Sequence, residues 1–216
     1  RFSHGLSILA NYTWAKTIDD FGWTDPYYRL FDHGLADDDV AHVFKFSSVY
    51  QIPRMRVPRA LGVLVNGWEP TSNVIWRSGF PLTIRSGYDN SLTGVGRDRA
   101  DFLGGDASLG NDRSHAAMIS QWFNTALFVP NALGTFGNSG KNILRGPRMF
   151  NADIGLLKNT GITERLSVQF RAEFFNIFNN VNFSAPNTTV SAGSQFGRIT
   201  AAGSPRIIQF GAKMLF

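Results

Sequence analysis

Long runs of alternating side chains constrain the fold of this chain more than any other feature of its sequence. Along residues 2–16, apolar residues such as Leu6, Ile8 and Trp14 take every second position, and mostly polar residues lie between them. A period of two puts successive side chains on opposite faces of a β-strand. The alternation predicts six strands, near residues 2–16, 40–53, 62–84, 149–158, 164–177 and 205–216.

The connections between these strands alternate in length. Those after the first, third and fifth strands are long, at about residues 17–39, 85–148 and 178–205, and the others are short. In an antiparallel up-and-down sheet, all long loops then lie at one end and all short turns at the other, as in outer-membrane barrels. A loop of about sixty residues is unusual in a compact soluble domain. Within it, residues 112–123 predict a short helix.

Two folds fit strands of this kind, and they differ in what the apolar face contacts. A soluble β-sandwich buries that face, whereas a membrane barrel turns it to lipid. The strands have about ten residues or more, which is enough to cross a bilayer. Aromatic residues such as Tyr12, Tyr50 and Trp68 lie near strand ends, and Arg171 and Glu173 lie mid-strand on the polar face. These features favour the barrel, and the sandwich remains the alternative.

Composition excludes several kinds of chemistry. The 216 residues include no cysteine, so a disulfide scaffold, a thiolate zinc site and a cysteine nucleophile are excluded. Apolar runs fall short of the roughly 18 residues of a transmembrane helix. The net charge of +5 is mild, and the basic and aromatic residues form no stripe of the kind that binds nucleic acid. We expect no enzymatic activity, no cofactor, no metal and no nucleic-acid partner.

Three polar segments resemble binding sites but lack supporting features. The acidic pair Asp19-Asp20 and the run Asp37-Asp38-Asp39 lack the spacing and glycine of a calcium loop, so they predict a solvated loop. Residues 134–141 resemble a phosphate loop, but their outer glycines are six positions apart instead of five, and Asn142 replaces the required Ser or Thr. The arginines at positions 54, 56 and 59 bracket a turn; they either touch lipid headgroups or phosphate or, as we expect by default, are solvated.

An aromatic group in the first long loop is the candidate ligand-contacting site. It consists of Trp23, Tyr27, Tyr28 and Phe31. Such side chains stack on sugar rings or grip apolar ligands, and they serve equally well to pack a loop onto the rim of a barrel. Both interpretations stay open from the sequence.

The last eight residues, 209–216, resemble the C-terminal assembly signal of bacterial outer-membrane proteins. That signal has a polar residue, then glycine, then two hydrophobic or aromatic positions, the second of them terminal. Gln209, Gly211, Met214 and Phe216 match it in place. The resemblance implies that the last strand pairs by its edge with the barrel assembly machinery, in the manner of β-strand addition.

Further stretches are similar to the C-terminal barrel of TonB-dependent outer-membrane receptors, in particular the Oar-like branch. They follow the family order along the chain and comprise residues 11–16, 76–83, 121–126, 134–138 with 144–147, and 170–176. The resemblance implies a barrel of about 22 strands in the bacterial outer membrane. It also implies an N-terminal plug that binds TonB and energised import of a scarce siderophore, carbohydrate or peptide.

Read with this resemblance, the chain is an all-β, antiparallel, up-and-down segment of an incomplete transmembrane barrel with long extracellular loops. The plug is absent from it, and residues 2–16 and 205–216 are expected to be open edges that pair with strands outside this chain. We also expect Arg171 and Glu173 to form an ion pair in the lumen. Expected partners are outer-membrane lipid and the assembly machinery, with TonB contacted only through the plug. The alternative is a structural or adhesive barrel without transport.

Overall fold

The computed structural model describes residues 5–110, 112–163 and 166–216. Its main element is a six-stranded antiparallel sheet in which the strands follow one another in chain order. The strands are β1 (Leu6–Trp14), β2 (His42–Tyr50), β3 (Trp68–Arg77), β4 (Met149–Gly161), β5 (Ser167–Phe175) and β6 (Ile207–Leu215). The structure therefore confirms the all-β, up-and-down architecture.

The sheet is not closed. Within the described residues, β1 pairs only with β2, and β6 pairs only with β5. The open edges expected at the first and last strands are therefore confirmed for β1 and β6. Residues 2–4 of the predicted first strand and residues 164–165 of the predicted fifth lie outside the described part of the chain.

One register rule orders the whole sheet. In every strand pair, even-numbered residues lie opposite even-numbered residues, as in the row formed by Tyr12, Phe44, Trp76 and Phe150. The same parity holds from β4 through β5 to β6. Because direct cross-strand partners share a face, all even-numbered strand residues lie on one face of the sheet. We call this the apolar face and the other the polar face.

The third strand is shorter than predicted. It runs only over Trp68–Arg77, and the helix α1 (Arg59–Val65) replaces its predicted start. A strand here would find no partner, because β2 ends at Tyr50 and Pro53 and Pro58 interrupt the following chain. The bend into β3 needs Gly67, whose φ is +81° and where an added Cβ would lie 2.2 Å from the Asn159 carbonyl oxygen.

The three long connections fold together at one end of the sheet, and we call them the loop module. It comprises residues 15–41, 78–148 without 111, and 176–206. Three pairs of short antiparallel strands, each strand two residues long, connect its parts: Ile18–Asp19 with Gly34–Leu35, Pro81–Leu82 with Leu144–Arg145, and Asp101–Phe102 with Phe128–Val129. It also contains 3₁₀ turns at Arg29–Asp32, Thr125–Leu127 and Val190–Gln195 and the helix α2 (His115–Ser120).

The helix α2 lies inside the segment predicted to be helical. Ser114 caps its N-terminus, because the Ser114 hydroxyl accepts from the backbone N–H of Ala117 at 3.3 Å. The helices within the described ranges are all too short or too polar to cross a membrane.

The hydrophobic core lies in the loop module and not on the sheet. Its centre is a cluster of five residues, all less than 7% exposed: Ile84, Ala100, Ala107, Phe123 and Phe128. In the six strands, by contrast, Ala152 and Ala172 are the hydrophobic residues that count as buried. Large apolar side chains of the sheet remain exposed. The sheet therefore has a wide apolar surface against which no other described part of this chain packs.

Candidate functional site

The polar face carries most of the charged groups of the sheet. Its odd-numbered positions include Lys45, Glu69, Arg77, Asp153, Arg171, Glu173 and Lys213. Side chains in this face bond to each other: Ser47 Oγ donates to Asn73 Oδ1 at 3.2 Å, and Gln169 Nε2 donates to Asn159 Oδ1 at 2.9 Å. Charged side chains of both signs that have hydrogen-bonding groups without a protein partner are suited to contact with water.

Arg171 and Glu173 both lie on the polar face but do not form the predicted ion pair. Arg171 Nε donates instead to Gln169 Oε1 at 2.8 Å. The ion pairs among the described residues all lie in the loop module, at Arg29–Asp20, Lys141–Asp19 and Arg145–Asp39. Gln169 and Glu173 are both two positions from Arg171 and on the same face, and the guanidinium is engaged by Gln169 on one side instead of by Glu173 on the other.

The apolar face has most of its aromatic residues towards its two ends, and aliphatic and small residues with Phe46 and Phe174 between. At the end nearest the loop module, the Tyr12 hydroxyl and His42 Nδ1 are 2.7 Å apart, and the His42 ring lies 6.4 Å from that of Trp76. Trp68 and Phe170 occupy the opposite end, and Ala10, Ser48 and Ala152 are among the small residues between them. Such an aromatic distribution is typical of a surface that meets water at two interfaces and hydrocarbon between them.

A pair of serines tests whether the apolar face contacts hydrocarbon. The hydroxyls of Ser48 and Ser72 lie 2.8 Å apart at mid-height of the sheet. Replacing only Ser48 by alanine leaves the Ser72 hydroxyl unpaired, and we expect unfolding to need about 1 to 3 kcal/mol less free energy. Removing both hydroxyls should recover most of this loss. The measurement is urea unfolding of the membrane-embedded native protein.

Ser47 is the matched control, since its hydroxyl bonds to Asn73 on the polar face. There water replaces the lost bond, so the change in unfolding free energy for Ser47→Ala should stay within about 0.5 kcal/mol. Equal effects of Ser47→Ala and Ser48→Ala would contradict the assignment of the two faces.

Residues 141–145 bind the acidic segments of the first long loop, so the predicted solvated loop is wrong for Asp19 and Asp39, whereas Asp37 and Asp38 are exposed. Asp39 is 1% exposed, pairs with the Arg145 guanidinium and accepts from the Thr17 backbone N–H at 2.6 Å. The Lys141 ammonium pairs with Asp19. We call these four ionic residues, with Asn142, the ionic clamp.

Asn142 binds Asp37 of the acidic run. Its Nδ2 donates to Asp37 Oδ1 and to the Leu35 carbonyl, each at 2.7 Å, and its Oδ1 accepts from Thr83 Oγ1 at 2.8 Å. Protein donors therefore bind the carboxylates of Asp19, Asp37 and Asp39. Across residues 5–110, 112–163 and 166–216, no group of three or more His, Asp or Glu side chains is placed to hold a metal ion.

The clamp carboxyls are stabilised in their charged form. Burial alone would raise the pKa of Asp39, but the bonds from the Thr17 N–H and the Arg145 guanidinium outweigh it and hold the pKa below its usual range. For Asp19, the bond from Lys141 is the main cause of a lowered pKa, and the Phe21 N–H adds to it.

Stability of the loop module should therefore fall in acid. A carboxyl with a lowered pKa stabilises the folded state fully above its unfolded pKa of about 4, and the contribution is lost as the pH falls through the folded value. We expect cleavage of the first long loop by pepsin to rise steeply below about pH 4. An Asp39→Asn variant should show a weaker dependence on pH, and an unchanged dependence would contradict the role of this carboxyl.

The candidate aromatic group divides into exposed and packed residues. Trp23, Tyr27 and Tyr28 are 55%, 96% and 55% exposed. Phe31 instead packs under the guanidinium of Arg99, whose Cζ lies 3.7 Å from the ring centre, and burial lowers the pKa of Arg99. Trp23, Tyr27 and Tyr28 are thus accessible to a ligand, and Phe31 holds the loop in place through its contact with Arg99.

Trp23 is held in an unfavourable backbone conformation, with a φ of +56°. Bonds on both sides fix this turn: Arg97 Nη1 donates to the Gly22 carbonyl at 2.7 Å, and the Thr24 N–H donates to Asp32 Oδ2 at 2.8 Å. A bulky residue with positive φ persists only where its surroundings enforce it, often at binding sites. The loop therefore presents Trp23 in a fixed position.

Two cavities lie where the loop module meets the sheet. One of about 410 Å³ opens on the polar side, between Arg77, Asn151, Asp153, Phe175 and Asn182. The other, of about 310 Å³, lies by the apolar face and has Trp76, Trp122, Arg148 and Phe150 in its walls. The polar-side cavity combines amides, charges and a ring, a set that orients a polar ligand.

The residues of the predicted assembly signal are divided between the two faces of β6 and its end. Gln209 and Gly211 lie on the polar face, Met214 lies on the apolar face and is 64% exposed, and Phe216 follows the strand and is 96% exposed. The free edge of β6 presents backbone groups that another strand can pair with.

Sequence reasoning missed the role of residues 141–145. The first loop is bound by Lys141, Asn142 and Arg145, which lie more than a hundred positions further along the chain. No local sequence pattern predicts contacts over such a distance. The one available signal was charge: the acidic run has no basic residues next to it, so its partners had to come from elsewhere in the chain.

Comparison with known proteins identifies one match. A family model described as "Outer membrane beta barrel domain" matches residues 1–209. No curated protein matches the chain, and no solved structure matches it. The family match agrees with the two-faced sheet, with its aromatic residues at both ends and its charged polar side.

Proposed function

Given that this chain belongs to the family of outer membrane beta barrel domains and lies in the bacterial outer membrane, we propose that it is part of a transporter. In this proposal it forms the C-terminal wall of a TonB-dependent barrel that actively takes up a scarce ligand of the siderophore, carbohydrate or peptide class. The apolar face contacts lipid, the polar face lines the lumen, and the loop module lies outside the cell.

The observation that carries the proposal is the open sheet with its charged polar face. The outer edges of β1 and β6 are unpaired among the described strands, so the sheet needs further strands to close. A barrel enlarged in this way has a lumen too wide to fill with side chains alone and holds either water or a plug. Charged groups such as Lys45 and Arg171 suit such an interior.

The proposed partners follow from this arrangement. Further strands of the same barrel pair with β1 and β6, a plug fills the lumen, and TonB acts through the plug. The barrel assembly machinery recognises the edge of β6 with Gln209, Gly211, Met214 and Phe216. The proposal includes no catalytic step, no cofactor and no nucleic acid.

Uptake measurements test the transport proposal. Cells that carry or lack the gene are supplied with radiolabelled ferric siderophores, oligosaccharides or peptides, one class at a time. We expect accumulation of one class to depend on the gene and to stop when TonB is removed or the proton gradient is collapsed. Gene-dependent accumulation that persists without TonB would contradict energised transport.

The exposed aromatic residues of the first loop are proposed to contact the ligand. Replacing Trp23 or Tyr28 by alanine should weaken ligand binding to whole cells about two- to tenfold each, through lost ring contacts. Tyr88→Ala is the control, because Tyr88 is 49% exposed in a different loop. Unchanged affinity in the Trp23 and Tyr28 variants would exclude both residues from the binding site.

A structural or adhesive barrel is the second candidate function. It is favoured by the loop module itself, which has its own core and displays Tyr27 at 96% exposure. A rigid exposed aromatic surface also suits attachment to other surfaces. Deleting the gene would then reduce adhesion of cells to a surface without changing the uptake of any solute, and removing TonB would have no effect.

A further inference from the structure

The connection between β2 and β3 exposes apolar side chains at the end of the sheet away from the loop module. It includes the helix α1, and we call residues 53–66 the basal segment. Its exposed apolar residues are Met55, Val57, Leu61, Val63 and Leu64, with exposed fractions from 39% to 67%. Few apolar groups stay exposed in a turn that contacts only water, so this segment needs a partner.

Two side chains of the apolar face hold the basal segment at the edge of that face. Trp68 Nε1 donates to the Leu64 carbonyl oxygen at 2.8 Å. The Lys158 ammonium donates to the Asn66 carbonyl oxygen and lies 5.3 Å from the centre of the Trp68 ring. Trp68 and Lys158 are both even-numbered strand residues and direct partners. The exposed side chains of α1 therefore continue the face that contacts lipid.

Asn66 fixes the shape of the segment. Its Oδ1 accepts from the Met55 backbone N–H at 2.7 Å, and its Nδ2 donates to the Met55 carbonyl oxygen at 3.1 Å. These two bonds tie the start of the segment to the end of α1. The segment is thus a closed, ordered loop, and its apolar residues keep their positions relative to the sheet.

Positive charge accompanies the apolar surface. Arg54 and Arg56 are exposed and alternate with Met55 and Val57. In the described part of the chain, neither guanidinium has an ion-pair or hydrogen-bond partner. Cations beside apolar groups at the edge of a membrane attract anionic lipid headgroups, and long basic side chains reach the headgroups while their stems stay in apolar surroundings.

We propose that the basal segment inserts its apolar side chains into the inner leaflet of the outer membrane and that Arg54 and Arg56 bind the phosphates of anionic phospholipids. Short turns of these barrels lie on the periplasmic side, which places the segment at that leaflet. The occupant is lipid because the surface is continuous with the lipid-contacting face and its charge complements an anionic headgroup. The proposal is independent of transport.

The test measures which lipid touches α1 in the whole protein. The native protein with Leu64→Cys carries an environment-sensitive fluorophore and is reconstituted into vesicles of equal parts phosphatidylethanolamine and phosphatidylglycerol. In separate samples, one of the two lipids is brominated. We expect brominated phosphatidylglycerol to quench the label more effectively, corresponding to a relative affinity of up to about fivefold for each arginine.

Replacing Arg54 and Arg56 by glutamine should make the two brominated lipids quench equally and leave quenching itself in place. Arg148→Gln is the matched control, since Arg148 is an exposed arginine at the opposite end of the sheet, and it should keep the selectivity. Quenching of the label by aqueous iodide, or by neither lipid nor iodide, would overturn the proposal in favour of water or a protein partner. Equal quenching by both lipids in the unsubstituted background would overturn the role of the arginines.

Discussion

Replacing Phe123 by alanine is expected to lower the free energy of unfolding of the loop module by about 3 to 5 kcal/mol. Phe123 is 1% exposed at the centre of the only hydrophobic cluster among the described residues. Its ring packs edge-on against Phe128 and Phe196 at centroid distances of 5.8 and 5.3 Å. The strands of the sheet do not depend on this cluster, so they should stay paired while the loop module loosens.

The measurement for this variant is protease cleavage of the loops against urea concentration, with the protein held in its membrane. The resistance of the barrel to unfolding, followed by heat-dependent gel mobility, reports on the sheet separately. Leu133→Ala is the control, because Leu133 lies in the same module and is 74% exposed; its effect should stay within about 0.5 kcal/mol. If Phe123→Ala behaved like this control, the loop module would not be a unit with its own core.

Arg145→Met should have an effect of similar size through a different cause. The substitution leaves Asp39 charged and buried without its cation, and breaking a buried pair in this way lowers stability by about 3 to 5 kcal/mol. Arg145 also donates to the Gly79 carbonyl oxygen at 3.2 Å, next to the end of β3. We expect the first long loop to become the preferred site of proteolysis in intact cells.

Two further variants separate charge from packing at the ionic clamp. Asp39→Asn combined with Arg145→Met removes the uncompensated charge while the amide oxygen still accepts from Thr17, so part of the lost stability should return. Arg29→Met breaks the Arg29–Asp20 pair, whose side chains are 67% and 42% exposed, and should change stability by less than about 1 kcal/mol. An Arg145→Met variant as stable as Arg29→Met would contradict the clamp.

The sheet could be predicted from the sequence because its rule is local. Alternation in a run such as Val168, Phe170 and Ala172 specifies a strand and its two faces, and a shift of the register by one residue would reverse both. The same rule failed at residues 62–65, where apolar residues continue without a strand to pair with and form α1 instead. A strand forms only where a neighbouring strand lies beside it at the same height of the sheet. The local sequence pattern carries no information about that neighbour.

The loop module could not be predicted, because neither its core nor its ion pairs have a sequence period. Ile84 and Phe123 meet across about forty positions of irregular chain. Asp39 pairs with Arg145 more than a hundred positions away, so an aspartate expected to be solvated is buried and bound by protein donors. Arg171 and Glu173 show the opposite error: proximity along the strand suggested an ion pair, but Arg171 bonds to Gln169, which lies equally near on the other side.

The central claim is that the two faces of one open sheet meet lipid and water, and accessibility along β5 tests it most directly. Single cysteines at Val168, Gln169, Phe170 and Arg171 of the native protein carry spin labels in outer-membrane vesicles; this chain has no cysteine of its own. We predict collision with oxygen at the even positions and with a water-soluble nickel chelate at the odd ones. Protection of the even positions from both probes would mean that the apolar face is buried in a soluble sandwich, and would contradict the account.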